Sequence, residues 1–209
     1  MRQAKSTEDA AIDLEAGWVD DARRLLAAAF ASDPMVRYVC DAESEAFNRR
    51  CYALYRSLVR LQLVSGEPRL GIVHGGRLVA ACHLLRPAAT VPFWAEAMHA
   101  LRLAWGLGPT GLMRGARFTR AQARCHPPEP HWYVVSIGVD PASQGQGYAG
   151  VLLRAIQQLS EGDPKSSGVA LDTQNPRNVP LYERFGFHVT REEEVGPLHS
   201  WCMFRPNGR

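Results

Sequence analysis

Two periods of apolar spacing succeed one another along this 209-residue chain, and each change of period marks an element. From Trp18, the residues Val19, Ala22, Leu26, Ala29 and Phe30 share one helical face, with Asp20 and Asp21 placed where carboxylates favour a helix start. Pro34 predicts the end of that helix. A second helix spans roughly 44–63, with Phe47, Cys51, Leu54, Tyr55 and Leu58 on its apolar side. Residues 11–15 read as a short strand ahead of both, and 1–10 as a polar, disordered start. Leu70–His74 and Arg77–Leu85 flank Gly75-Gly76, which predicts a β-hairpin.

Residues 91–125 return to the helical period, with Phe93, Ala97, Leu101 and Trp105 repeating every four. Gly106–Gly111 divides this segment, and "HPPEP" at 126–130 ends it, because successive prolines cannot continue a helix. Strand and helix then alternate. Trp132–Val139 is a strand, a glycine loop opens a helix to about Ser160, and Gly168–Asp172 is a further strand. Pro176–Phe185 is a short helix, and Phe187–Val195 with Ser200–Phe204 forms a closing antiparallel pair. No repeat or low-complexity tract interrupts the chain, so one domain accounts for it.

Composition narrows the class. With 46% hydrophobic and 22% charged residues the chain reads as soluble and globular, and a net charge of +3 does not argue for nucleic acid. No apolar run approaches the ~20 residues of a membrane span, and the first residues have no apolar signal core, so no membrane partner is expected. The five cysteines are odd in number, widely spaced and without a C-x-x-C pair. They indicate neither a disulfide framework nor a zinc site, which fits a reducing cytoplasm.

Chemistry enters at "DPASQGQGYAG", residues 140–150. Gly145, Gly147 and Gly150 spell G-x-G-x-x-G between a strand and a helix, and Asp172 follows 22 positions later. That is the dinucleotide fingerprint. Three features oppose it: Asp140–Gln144 separate the strand from the first glycine, only 59 residues follow Gly150, and "TQNPRNVPLYERFGF" has no role in such a fold. What survives is physical. Glycines at a helix start let main-chain N–H groups converge on an anion with the helix dipole behind them, a cradle for pyrophosphate. The alternative is a tight strand-to-helix turn that uses glycine for geometry alone.

"GVDPASQGQGYAG" resembles the signature loop of the GNAT N-acetyltransferase superfamily, V-x-P-x-x-Q/R-G-x-G/A-x-G/A, carried here by Val139, Pro141, Gln144, Gly145, Gly147 and Ala149. About thirty residues on, "NPRNVPLYERFGF" is similar to the second signature, an Asn-containing helix start followed by Tyr and Gly-Phe. "LLAAAFASDP", "PPEPHWYVVSIGVDP" and "SWCMFRP" extend the likeness toward the branch that contains puromycin N-acetyltransferase, clearly over 126–204 and not over 86–125. The third small position is Ala149 rather than Gly, which the superfamily tolerates.

The resemblance implies an α/β fold of α+β type, with a mostly antiparallel sheet of about six to seven strands, splayed between the fourth and fifth and flanked by helices. It implies acetyl-CoA as cofactor, its pyrophosphate on the main chain of Gln144, Gly145, Gln146, Gly147, Tyr148 and Ala149, with Gly150 close by and incidental to the motif. Main-chain groups of Ile137, Gly138 and Val139 would hold the pantetheine arm, and one N–H there would polarise the thioester carbonyl. Tyr182 matches the tyrosine that protonates the departing thiolate; the alternative is that it packs the short helix. Asn175 and Asn178 either hold the cofactor or cap that helix. Arg184 is a further candidate or a surface charge.

The family often places a glutamate six residues ahead of Val139, and Tyr133 stands there instead. The base is therefore unassigned among Asp33, Glu43, His83 and Glu129. Residues 86–130 form the variable helical insert that lines the acceptor site. Within it, Arg114, Arg117, Arg120 and Arg124 read as a solvated stripe before an acidic-partner site, and Phe93, Trp94 and Trp105 as core before a ligand cage. The expected activity is transfer of an acetyl group to a small-molecule amine, bulky and partly hydrophobic, such as an antibiotic-like aminonucleoside, by a monomer or homodimer. A protein N-terminus or lysine as acceptor, and a non-catalytic acyl-CoA sensor, are the alternatives.

Overall fold

In a computed structural model, which describes residues 10–208, the chain builds one seven-stranded sheet covered on both faces by helices. β1 (Ile12–Asp13) leads through a 3-10 turn into α1 (Val19–Ala29), which buries Ala22, Leu25 and Leu26. Pro34 does stop α1, and it also starts a helix that the periodicity does not announce. α2 (Pro34–Cys40) carries Pro34 at its first turn, where no N–H is needed, and Asp33 caps it by accepting from Met35 N at 2.9 Å and Val36 N at 3.3 Å. α3 (Phe47–Ser65) ends at Gly66 with φ 68°.

β2 (Arg69–His74) and β3 (Arg77–Leu85) form the expected hairpin, Gly75 and Gly76 both having positive φ. α4 (Phe93–Cys125) breaks at Gly108, whose φ of 72° and following Pro109 divide it in two. Then come β4 (Trp132–Val139), α5 (Tyr148–Glu161), β5 (Gly168–Thr173), α6 (Val179–Glu183), β6 (His188–Val195) and β7 (Leu198–Pro206).

The sheet order is β1-β2-β3-β4-β5-β7-β6, and β4–β5 is its one parallel pair. That pair is short. Trp132, Val134 and Tyr133 between them meet β5, ending at Val134↔Leu171, while β4 continues to Val139 against β3. The sheet is therefore split beyond Val134, and the split positions the site. On one face Leu152, Leu153 and Ile156 of α5 pack over Ile72, Leu84 and Leu171; on the other α1, α2 and α3 enclose Leu26, Val36, Tyr55 and Val59.

Three expectations are corrected here. Cys125 and Cys202 form a disulfide that ties the end of α4 to β7, so the cysteines are not all free thiols; spacing along the chain cannot show a pair that the fold brings to a Cα separation of 5.0 Å. The cysteine count consequently says nothing about a reducing compartment. Reduction is expected to lower the melting temperature, at about 2–5 kcal/mol for a long closed loop, and Cys125→Ser should make melting insensitive to reductant.

Phe93, Trp94 and Trp105 are not core: they are 84%, 59% and 93% exposed. The first half of α4 packs on α3 through its opposite face, where Ala95 is buried, His99 Nδ1 lies 2.8 Å from Ser57 Oγ, and a Cβ on Gly106 would stand 2.7 Å from that of Ala53. The arginine stripe divides as well. Arg114 donates to Tyr38 O at 2.8 Å and Arg124 to Glu193 at 2.6 Å, tying α4 to α2 and β6, while Arg117 and Arg120 remain exposed.

Candidate functional site

The split leaves a strand edge with unused main-chain groups. Asp140 N–H donates to Val79 O at 2.9 Å, and antiparallel neighbours alternate between bonded and non-bonded pairs. Gly138 and Ser136 share the bonded phase with β3, so the N–H and C=O groups of Ile137 and Val139 turn toward the β5 side, where no strand meets them. Gly138 is a glycine because α1 crosses it closely: a Cβ there would lie 3.0 Å from Leu26 and 3.2 Å from Ala29 and Phe30.

At the end of this edge the chain turns into α5 through Gly145 (φ 78°) and Gly147 (φ 88°), conformations that favour glycine. Gln144 Nε2 reaches back to Val139 O at 3.4 Å. The first-turn N–H groups of Tyr148, Ala149 and Gly150 have no acceptor within the helix. Gly150 has a packing reason of its own. A Cβ there would stand 2.8 Å from the Phe185 ring, so α5 can seat against the loop after α6 only with glycine at that position. Gly150→Ala is expected to cost about 1–3 kcal/mol through that overlap, read as a lower melting temperature.

These elements border a cleft of 720 Å³. The structure brings Ile137, Gly138, Val139, Gln144, Gly145, Gly147, Tyr148, Ala149, Gly150, Asn175, Asn178 and Tyr182 to its walls. Gln146 is exposed and outside the lining, which leaves it a main-chain part at most. Asn175 accepts from Arg177 N at 3.1 Å, a turn-forming bond, and Asn178 donates to Thr173 Oγ1 at 3.3 Å while its C=O accepts from Tyr182 N. Both asparagines thus hold the α6 turn as well as lining the cleft.

Three further lining residues carry unpaired charge. Among the described residues Arg154, Arg177 and Arg184 make no ion pair, and the Arg154 guanidinium lies 5.7 Å from the Phe185 ring centroid. Arg154 was legible in principle, since it stands one and two turns beyond Gly150 and Gly147 on the same side of α5. Arg177 sits inside the second signature, where the asparagines drew attention instead.

A second, 70 Å³ chamber opens in the split and shares Phe30, Asp33, Ile137, Asn178 and Tyr182 with the cleft. Its far wall is Asp172 on β5. Both oxygens of Asp172 are engaged: Oδ1 accepts from the Tyr133 hydroxyl and from Gln122 Nε2 at 3.1 Å, and Oδ2 from Gln174 Nε2 at 2.6 Å. Tyr133, standing where the resemblance expects a glutamate, is thus spent on orienting another carboxylate. Asp33 differs. Only its Oδ1 is used, by the α2 cap, and burial raises its pKa against the cap bonds, with Asp172 adding in the same direction.

The other base candidates line neither space. Glu43 and Glu129 are exposed. His83 is fully buried, and burial with the nearby Arg69 charge pushes it down to about 3, so it stays neutral at working pH. Tyr182 is 7% exposed, packs edge-on against Phe187, and its hydroxyl bonds to no other described residue. Burial first, then Asp172 and Asp33, hold its proton more tightly than usual.

Comparison with known proteins agrees with this geometry. The model of the acetyltransferase (GNAT) family matches residues 32–187. An uncharacterized N-acetyltransferase of Schizosaccharomyces pombe is 24% identical over 205 residues, covering 90% of this chain and 81% of that protein. A structure described as histone acetyltransferase HPA2 and related acetyltransferase from Corynebacterium glutamicum superposes with TM-score 0.72 at 19% identity, over 96% of this chain and 97% of its own. A Drosophila melanogaster polyamine N-acetyltransferase that forms N-acetylagmatine does so with TM-score 0.62 at 17% identity, over 93% and 97%.

Proposed function

The chain belongs to the GNAT acetyltransferase family, and from that premise we propose that it transfers an acetyl group from acetyl-CoA to a small cationic amine. The observation that carries the reading is that Asp33, whose Oδ2 is unused, and Tyr182, whose hydroxyl bonds to no other described residue, line both spaces together with Ile137 of the open β4 edge.

The residues fit the donor. Gly145 and Gly147 shape a cradle for the pyrophosphate, Arg154, Arg177 and Arg184 supply positive charge for the phosphates, and Ile137 and Val139 offer main-chain partners to the pantetheine arm. When bound, acetyl-CoA supplies an activated acyl group and a thiolate leaving group. Asp33 takes the proton from the amine as its nitrogen forms the new C–N bond. A β4 N–H would face the charge that builds on the acyl oxygen, and Tyr182 would hold a proton for the leaving thiolate.

The lining combines the carboxylates Asp33 and Asp172 with the apolar Phe30, Met35 and Phe118, which suits an ammonium group on an apolar body. The 70 Å³ chamber has room for the amine end of an acceptor, with the rest of its body outside. The likeness to the puromycin N-acetyltransferase branch and the N-acetylagmatine activity of the Drosophila neighbour put aminonucleosides and guanidino-amines first among acceptors. Cytoplasmic residence and a monomer or homodimer belong to the same proposal. A thiol-release screen of acetyl-CoA against amines, antibiotics and peptides tests it. Turnover with cationic small amines is expected; acetyl-CoA binding without turnover on any amine would point to the sensor instead.

A further inference from the structure

The outer faces of α3 and α4 form a surface that the catalytic reading does not use. Phe93, Trp94, Met98, Leu101 and Trp105 are 40% to 93% exposed and fall within one arc of α4, away from its α3-packing side. Beside them runs a second stripe. Arg49, Arg56 and Arg60 recur at helical spacing on α3, and Arg102 joins them across a 770 Å³ groove that also holds Tyr52. Among the described residues none of these four arginines has an ion-pair or hydrogen-bond partner, and α3 contains no acidic residue.

Apolar exposure of this extent marks a contact surface, and the charges select what covers it. A second copy related by a two-fold axis would set the patch against itself, four unneutralised guanidinium groups facing four others. Glu96 is the one carboxylate between Phe93 and Trp105. A single-stranded nucleic acid would answer the arginines, Tyr52 and Trp105, but would leave Phe93, Met98 and Leu101 against phosphodiesters. An anionic lipid surface answers both stripes at once: apolar side chains enter the acyl boundary while guanidinium groups meet headgroup phosphates.

The geometry points to the α3–α4 outer face as a docking site for an anionic phospholipid membrane, on which the protein lies peripherally. Among the described residues no helix is long and apolar enough to cross a membrane, so the association is interfacial. It does not depend on the acceptor or on the catalytic assignments.

Co-sedimentation of the full chain with vesicles of phosphatidylcholine, alone or mixed with phosphatidylglycerol, tests this, with tryptophan emission as a second signal. Binding to the mixed vesicles that weakens with salt, accompanied by a blue shift, is expected. Arg56→Ala with Arg60→Ala should weaken it roughly thirtyfold, and Leu101→Glu with Trp105→Glu by about a hundredfold or more. Both double variants should keep the wild-type melting temperature and acetyl-CoA binding, since none of these side chains lines the catalytic cleft. No binding to mixed vesicles at low salt, or equal binding by the Leu101→Glu, Trp105→Glu variant, overturns the proposal. So does a homodimer that this variant dissociates, which gives the face to a second copy, or displacement of vesicles by single-stranded RNA, which gives it to nucleic acid.

Discussion

Tyr182→Phe is expected to lower kcat by about a hundredfold while leaving the KM for acetyl-CoA nearly unchanged. The substitution is clean, because the ring stays packed on Phe187 at 5.9 Å and only a hydroxyl that bonds to no described residue is lost. Burial, reinforced by the Asp172 and Asp33 charges, raises the phenol above its ordinary value of about 10. The tyrosine is therefore protonated across the whole working range, as a general acid must be before transfer. Its ionisation should leave no alkaline limb in the kcat profile of the native enzyme below about pH 10. A kcat unaltered by the substitution at every pH removes Tyr182 from the chemistry and leaves it a packing role.

Asp33→Asn should reduce kcat/KM by about 10²–10⁴-fold without weakening the fold. Asparagine caps a helix about as well as aspartate, so Met35 and Val36 keep an acceptor. The variant separates a base from a cap, which Asp33→Ala would not. The sign with pH follows from the raised pKa: native activity falls as pH drops through a point above the usual carboxylate range, and this acid limb disappears in Asp33→Asn. Stability runs the other way. A carboxylate whose folded pKa is raised costs stability once ionised, so the variant should be at least as stable at neutral pH. That difference should close as pH falls through the folded pKa. A pH–rate profile and thermal melts of both proteins measure the two effects; an acid limb retained in the variant assigns the base elsewhere.

Much of the fold was legible because local rules set it. The hairpin at Gly75-Gly76, the break of α4 near Gly108 and the closing β6–β7 pair all follow from turn chemistry and apolar period. α2 was missed because Pro34 was read only as a stop, although proline is equally at home in a first helical turn. The packing constraint on Gly150 was not legible, because it comes from Phe185, 35 positions away. Asp33 stood among four base candidates in the sequence, and that it alone of the four lines the two spaces depends on packing that no linear pattern carries.

By itself the sequence determined the order and type of most elements, the glycine loop at the mouth of α5 and the two segments that resemble the signatures of the GNAT family. Those features rest on backbone conformation and near-neighbour spacing, which a linear reading contains. Tertiary structure alone decided the rest. It joined Cys125 to Cys202, spent Tyr133 on Asp172, and left Asp33 and Tyr182 with unused groups at one mouth. It also turned the aromatic residues of α4 outward. Each of these depends on which faces the split sheet and its covering helices present to one another, and such proximity is made only when segments distant in the chain pack together.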